Sequence, residues 1–242
     1  MPLPKISTPT YELELPSTGK KIKYRPFLVK EEKILIIALE TEDTKQISNA
    51  IVQILSECIL TRGVKVKDLS TFDIEYLFLN VRAKSVGETV EVSVKCKKCE
   101  TPKPTVINVE EIEMDNLDNE KMIMLTDDVG VTLRYPSLGL LESLKVDKDI
   151  EKLSNKQQLK IMESMLGACL DTVFDSDNVW PTSDQSEKEI NEFIEGLNSE
   201  QFAKLAEWFN NMPALVHTVK FVCDSCEEKN EIELKGLASF FT

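Results

Sequence analysis

The stretches Val92–Glu100, VSVKCKKCE, and Val219–Glu227, VKFVCDSCE, decide how this chain is read. Each is a short apolar strand that runs into Cys-x-x-Cys and ends on Glu. Two residues between cysteines let both sulfurs of a turn point at one ion. A zinc ribbon holds its metal between two such knuckles, normally some 15–20 residues apart. Here 123 residues separate Cys99 from Cys223, so spacing alone does not make the motif.

Working outward, the flanks repeat as well. LELPSTGKKIKYRPFL from Leu13 and IMLTDDVGVTLRYPSL from Ile123 both read strand, polar turn, strand, then Arg and Pro. Gly19 corresponds to Gly130, Arg25 to Arg134 and Pro26 to Pro136, and each stretch is expected to form a β-hairpin. Ala50–Ile59 resembles Ile161–Leu170 and pairs Cys58 with Cys169. Apolar residues recur at helical steps in both: Ile47, Ile51, Ile54 and Cys58, then Leu159, Met162, Leu166 and Cys169. Asp43 or Thr44 is expected to cap the first of these helices, and Ser154 or Asn155 the second. Leu69–Phe78 aligns with Leu197–Phe209, with Ser70 and Ser199 as capping residues. Ile107 and Val109 after the first knuckle match Ile232 and Leu234 after the second.

The expected fold class is therefore α+β, built as a tandem duplication. Each copy holds a β-hairpin, a helical middle and a strand-knuckle-strand, over residues 1–117 and 118–242. The link lies near Met114–Glu120, and an inserted loop at about 172–190, with a short helix after Ser186, is particular to the second copy. A near-twofold meeting of the copies would join the knuckles as a split zinc ribbon. Cys96, Cys99, Cys223 and Cys226 would then hold one structural Zn²⁺ in a closed tetrahedral site. Three alternatives stay open: half-sites completed by another subunit, a redox Cys-x-x-Cys, and unmetallated thiols. Against the redox reading, reactive pairs sit at helix N-termini, whereas these follow strands. Cys58 and Cys169 lie on apolar helix faces and read as small core residues.

Composition narrows the function. With 29 basic against 42 acidic side chains the net charge is −13, and no basic stripe breaks it. Phosphate binding depends on clustered Lys and Arg, so neither nucleic acid nor an anionic membrane is an expected partner. The first sixteen residues contain no apolar signal core, and the longest apolar run, Ile34–Leu39, is too short to span a bilayer. In a reducing cytoplasm six cysteines point to metal or redox sites, not disulfides. The single histidine, His217, shares a strand face with apolar residues near the second knuckle. It is an ordinary strand residue, a neighbour of the metal ligands, or a fifth candidate ligand. No nucleophile–base pair or Gly-rich phosphate loop is present, so the chain is not expected to be an enzyme. Trp180 and the terminal Phe240 and Phe241 are candidates for partner binding, while Trp208, in a helix with Phe202 and Leu205, reads as core.

The opening, with its short strand pair followed by Arg25, Pro26, Phe27 and then Val29–Lys33 (VKEEK), resembles the baseplate hub subunits and hub assembly proteins of T-even-type contractile-tailed bacteriophages. That resemblance implies a late phage protein working in host cytoplasm or in the virion tail baseplate. It would be a hub component or assembly chaperone whose partners are other hub or tail proteins. The alternative is a zinc-ribbon adaptor between proteins of another pathway.

Overall fold

The computed structural model describes residues 6–41, 43–144 and 154–240. Helices and small antiparallel sheets alternate through it, an α+β protein. Two compact units form: residues 1–115 with 214–242, and residues 116–213. They partition the chain differently from the two sequence repeats, because the second knuckle belongs to the unit that holds the first.

The first unit opens with the hairpin β1 (Tyr11–Glu14) and β2 (Lys21–Tyr24), turned at Gly19, whose φ of +67° suits a residue without Cβ. Ile22 and Tyr24 point inward, while Glu12, Glu14, Lys21 and Lys23 point out. The helices α1 (Val29–Glu40), α2 (Thr44–Cys58) and α3 (Thr71–Val86) follow. Asp43 caps α2 by accepting from the backbone N–H groups of Lys45 and Gln46, and Ser70 caps α3 through the N–H of Asp73. α2 buries the stripe Ala50, Ile54, Leu55 and Cys58. α3 is apolar on most sides, with Phe72, Ile74, Leu77, Phe78, Leu79 and Val81 all buried, and is the centre of this unit.

β3 (Thr89–Lys95) and β4 (Pro102–Asn108) make the first knuckle hairpin; β5 (Glu113–Asp115) is the last element before residue 116, where the second unit begins. Val90, Val92 and Val94 alternate inward from β3.

The second unit carries β6 (Met122–Met124), β7 (Gly130–Leu133), α4 (Leu138–Ser143), α5 (Asn155–Cys169), β8 (Leu170–Phe174), β9 (Val179–Pro181), α6 (Glu187–Glu195) and α7 (Ser199–Asn210). Its sheet runs β6-β7-β8-β9, antiparallel throughout. The core is Leu125, Val131, Leu133, Leu166, Cys169, Leu170, Ile194, Leu205, Trp208 and Phe209. Trp208 stacks on Tyr135 at 5.2 Å and donates its indole N–H to Glu120 O at 3.0 Å, so it is a core residue as expected.

Several local expectations change. The segment 172–190 is not a plain loop: an Asp-rich turn at 175–178 joins β8 to β9, and only then comes the short helix α6, capped by Ser186. Asn198, not Ser199, caps α7, accepting from Gln201 N–H at 2.9 Å. Gly130 begins a strand, paired with Met124 and Phe174, instead of making a turn, and the ring of Phe174 lies where its Cβ would stand. Leu159 is exposed and Met162 only partly buried, so the fully buried stripe of α5 starts at Leu166, two turns later than its spacing suggests.

β10 (Ala214–Val222) and β11 (Lys229–Lys235) close the first unit. β10 pairs with both β11 and β5, where Ala214 faces Asp115. A short 3₁₀ turn, Leu237–Phe240, ends the described chain, and no described helix is long and apolar enough to cross a membrane.

Candidate metal centre

Each knuckle is built by the same three devices. The strand β3 delivers Cys96, whose N–H donates to Thr101 O at 3.0 Å; β10 delivers Cys223, whose N–H donates to Glu228 O at 2.9 Å. A tight turn then returns the N–H of Glu100 to Cys96 O and that of Glu227 to Cys223 O, each at 2.9 Å. Closing those turns requires left-handed backbone at the two glutamates, with φ of +58° and +57°. That conformation costs a residue with Cβ about 1–2 kcal/mol, and it recurs at the same place in both knuckles.

The four sulfurs converge. Cys96 Sγ lies 3.7 Å from Cys226 Sγ, Cys99 Sγ lies 3.5 Å from Cys223 Sγ, and all four lie within 4.8 Å of one another. Zn–S bonds of about 2.3 Å in tetrahedral geometry set sulfurs about 3.8 Å apart. The donor set therefore fits a single tetrahedral ion of that size, and four cysteines leave no open position. Cys96 and Cys223 are buried, Cys226 is half-buried and Cys99 is exposed.

Protonation shows what a cation would resolve. The Cys99 N–H holds the Cys96 thiol down against the cost of burial, with help from Lys98 N–H and the Asn230 amide, at about 6. The Thr101 hydroxyl and N–H lower Cys99. At Cys226 the Glu228 N–H acts to lower the thiol, but Cys99, burial, Cys223 and Cys96 outweigh it and push it up to about 12. Sulfurs this close cannot all carry negative charge unless a positive ion sits between them.

Two further side chains tie the knuckles together. Asn230, buried on β11, accepts from Lys97 N–H at 2.9 Å and donates to Cys96 Sγ at 3.4 Å and Glu228 O at 3.0 Å. Lys103, at the corresponding place on β4, reaches the other way to Val222 O at 3.1 Å and Asp224 Oδ1 at 3.0 Å. Lys98 pairs with Glu228 at 3.3 Å. The opposite charges of the two turns are thus matched across the centre. Sequence reasoning missed Asn230 because a polar residue on a return strand looks like any outward-facing one; its signal was its place two residues before Ile232 and four before Leu234, in phase with the less exposed side of β11.

The other candidates stand elsewhere. His217 lies six residues before Cys223 on β10, about 20 Å along an extended strand, with Nδ1 3.0 Å from Glu111 O. Trp180 lies on β9 and is 40% exposed. Phe240, expected at a partner surface, is instead fully buried: Gly236, with φ +73°, turns the last residues back toward β3. Phe241 lies outside the described residues. Cys58 and Cys169 are fully buried core thiols, pushed up by burial to about 11 and about 12.

Comparison with known proteins gives the wider context. No solved structure matches the chain. The baseplate hub assembly protein gp26 of Enterobacteria phage T4 is 24% identical over 232 residues, spanning 96% of this chain and 97% of that protein. A family described as T4 bacteriophage base plate protein matches residues 8–242, nearly end to end. The chain belongs to the T4 bacteriophage base plate protein family.

Proposed function

We propose that this chain is a non-enzymatic component or assembly factor of the phage baseplate hub, acting in host cytoplasm by binding other baseplate proteins. The observation that carries the reading is the end-to-end similarity to a hub assembly protein. A closed four-sulfur site agrees with it, since catalytic zinc needs an open position. Disrupting the gene in its phage and fractionating the infected-cell lysate tests it. Loss of hub-containing baseplates, restored by supplying the protein in trans, is the expected result. A normal yield of tailed particles overturns it and leaves the adaptor reading. Mass analysis of purified virions separates a retained component from a factor that departs.

Within that role, the chain is an ancient tandem duplication whose two knuckles share one structural Zn²⁺. The support is positional. Tyr24 bridges Ile59 and Arg25 N–H donates to Cys58 O, while Leu133 pairs with Leu170 and Arg134 N–H donates to Cys169 O. Exchanging the copies also exchanges the two short sulfur contacts. Metal analysis of protein purified under reducing conditions should return one zinc per chain; none would remove the metal from the account.

A further inference from the structure

The hub reading says that the chain binds partners and does not say where. The sheet of the second unit supplies a surface. Pairing registers set Ile123, Val131 and Val173 in one row facing the core, with Trp180, 40% exposed, at the end of that row. The two flanking rows face the other way: Met122, Thr132, Thr172 and Pro181, then Met124, Gly130, Phe174 and Val179. Antiparallel sheets of this kind ordinarily turn a polar face to water. The other sheets of this chain do so, with Glu12, Glu14, Lys21 and Lys23 outward on β1–β2, and Thr218, Lys220, Glu231 and Glu233 on β10–β11. These two rows carry no charged side chain in a chain that is 29% charged; the exposed Asp171, at the bulge of β8 beyond them, pairs with Arg134 at 3.9 Å. Val179 is 65%, Met122 56% and Met124 45% exposed. Gly130 extends the apolar surface, since only a missing Cβ lets Phe174 and Met124 lie across it.

Charge gathers at one end. The turn before β7 holds Asp127 and Asp128, and the turn between β8 and β9 holds Asp175 and Asp177. Asp128 joins the turns by accepting from Ser176 N–H at 3.3 Å. None of the four forms an ion pair among the described residues. An apolar face is a binding surface when it is contiguous and unpaired, and uncompensated carboxylates at its rim select the partner by sign.

We propose that this face docks a segment of another protein that lays apolar side chains over Met122, Met124, Phe174 and Val179 and sets Lys or Arg against the four aspartates. Like charge disfavours a second copy of so acidic a chain, and β9 ends at Pro181, which blunts that edge against strand addition. The inference deepens the hub reading and rests on it only for the choice of one probe.

Two probes are therefore used on the full chain: overlapping peptides spanning the phage's tail and baseplate proteins, and a randomised displayed peptide library. Bound peptides should share an apolar centre and at least one basic end. Val179→Glu and Met122→Glu, both at exposed positions, should weaken binding about tenfold or more with the circular-dichroism melt unchanged. Asp127→Asn with Asp177→Asn should remove most of its salt dependence. If only the random library yields such peptides and Val179→Glu abolishes them, the surface stands and the hub reading is what fails. Peptides that bind the Glu variants as tightly as wild type, an absence of binders from both probes, or a homodimer that Val179→Glu dissolves would each overturn the proposal.

Discussion

Replacing Asn230 by Leu removes three hydrogen bonds at once: to Cys96 Sγ, Lys97 N and Glu228 O. Polar groups that orient metal ligands from outside the coordination sphere are worth roughly 10–100-fold in metal affinity, which is about 1.4–2.8 kcal/mol. Asn230→Asp distinguishes support of the metal from support of the fold. The carboxylate still accepts from Lys97 N–H, but it loses the donor to sulfur and sets a negative charge 3.4 Å from Cys96. At an effective dielectric of about 20 that repulsion approaches 5 kcal/mol. Zinc affinity should therefore fall in the order wild type, Leu, Asp, with the Asp variant at least tenfold below Leu. A chromophoric chelator competing for Zn²⁺, and the sulfur-to-Co²⁺ charge-transfer band, both read it. Affinities of wild type and Asn230→Leu within twofold of each other, or Asp binding more tightly than Leu, would refute the reasoning.

Cys96→Ser or Cys223→Ser should eliminate stoichiometric zinc and unfold the knuckle hairpins, because a structural zinc supplies about 10 kcal/mol or more of apparent folding energy; metal analysis with hydrogen exchange over β3, β4, β10 and β11 checks this. Glu31 is buried beside Arg25 at 2.9 Å, and although burial works to raise its carboxyl, Arg25, Leu28 N–H and Lys30 pull it down to about 2. Its folded value lies below the unfolded one near 4.5, so its contribution is present above about pH 4.5 and lost as pH falls toward 2; Glu31→Gln should cost about 3–5 kcal/mol at pH 7 and flatten the acid limb of a urea-melt pH series. Phe240→Ala should destabilise the first unit by about 3–5 kcal/mol, seen in denaturant melts, whereas a surface residue would leave them unchanged.

What could be read from residue order was local or repeated. The two knuckles were legible because Cys-x-x-Cys after an apolar strand occurs twice with the same following Glu, and Asp43, Ser70 and Ser186 announced their helices by capping chemistry. The left-handed glutamates were not legible, since Glu is a poor marker for positive φ. The hairpin of β8 and β9 was hidden because strands of five and three residues are too short to establish a period of two. Phe240 was misjudged because position near a terminus says nothing about burial; that depends on which way Gly236 turns the chain. Cross-knuckle partners such as Asn230 and Lys103 become neighbours only when residues more than a hundred apart pair in space.

The pairing of β5 with β10 sets the timetable of synthesis. Residues 116–213 leave the ribosome as one uninterrupted stretch and can settle while translation continues. The surrounding unit must hold an unfinished sheet and two orphan thiols until its last strands emerge. A stalled or clipped nascent chain would then carry a completed insert in an unfinished first unit, a ready substrate for proteases. Because Ala214 lies opposite Asp115, a short turn could replace the whole insert without moving those two ends.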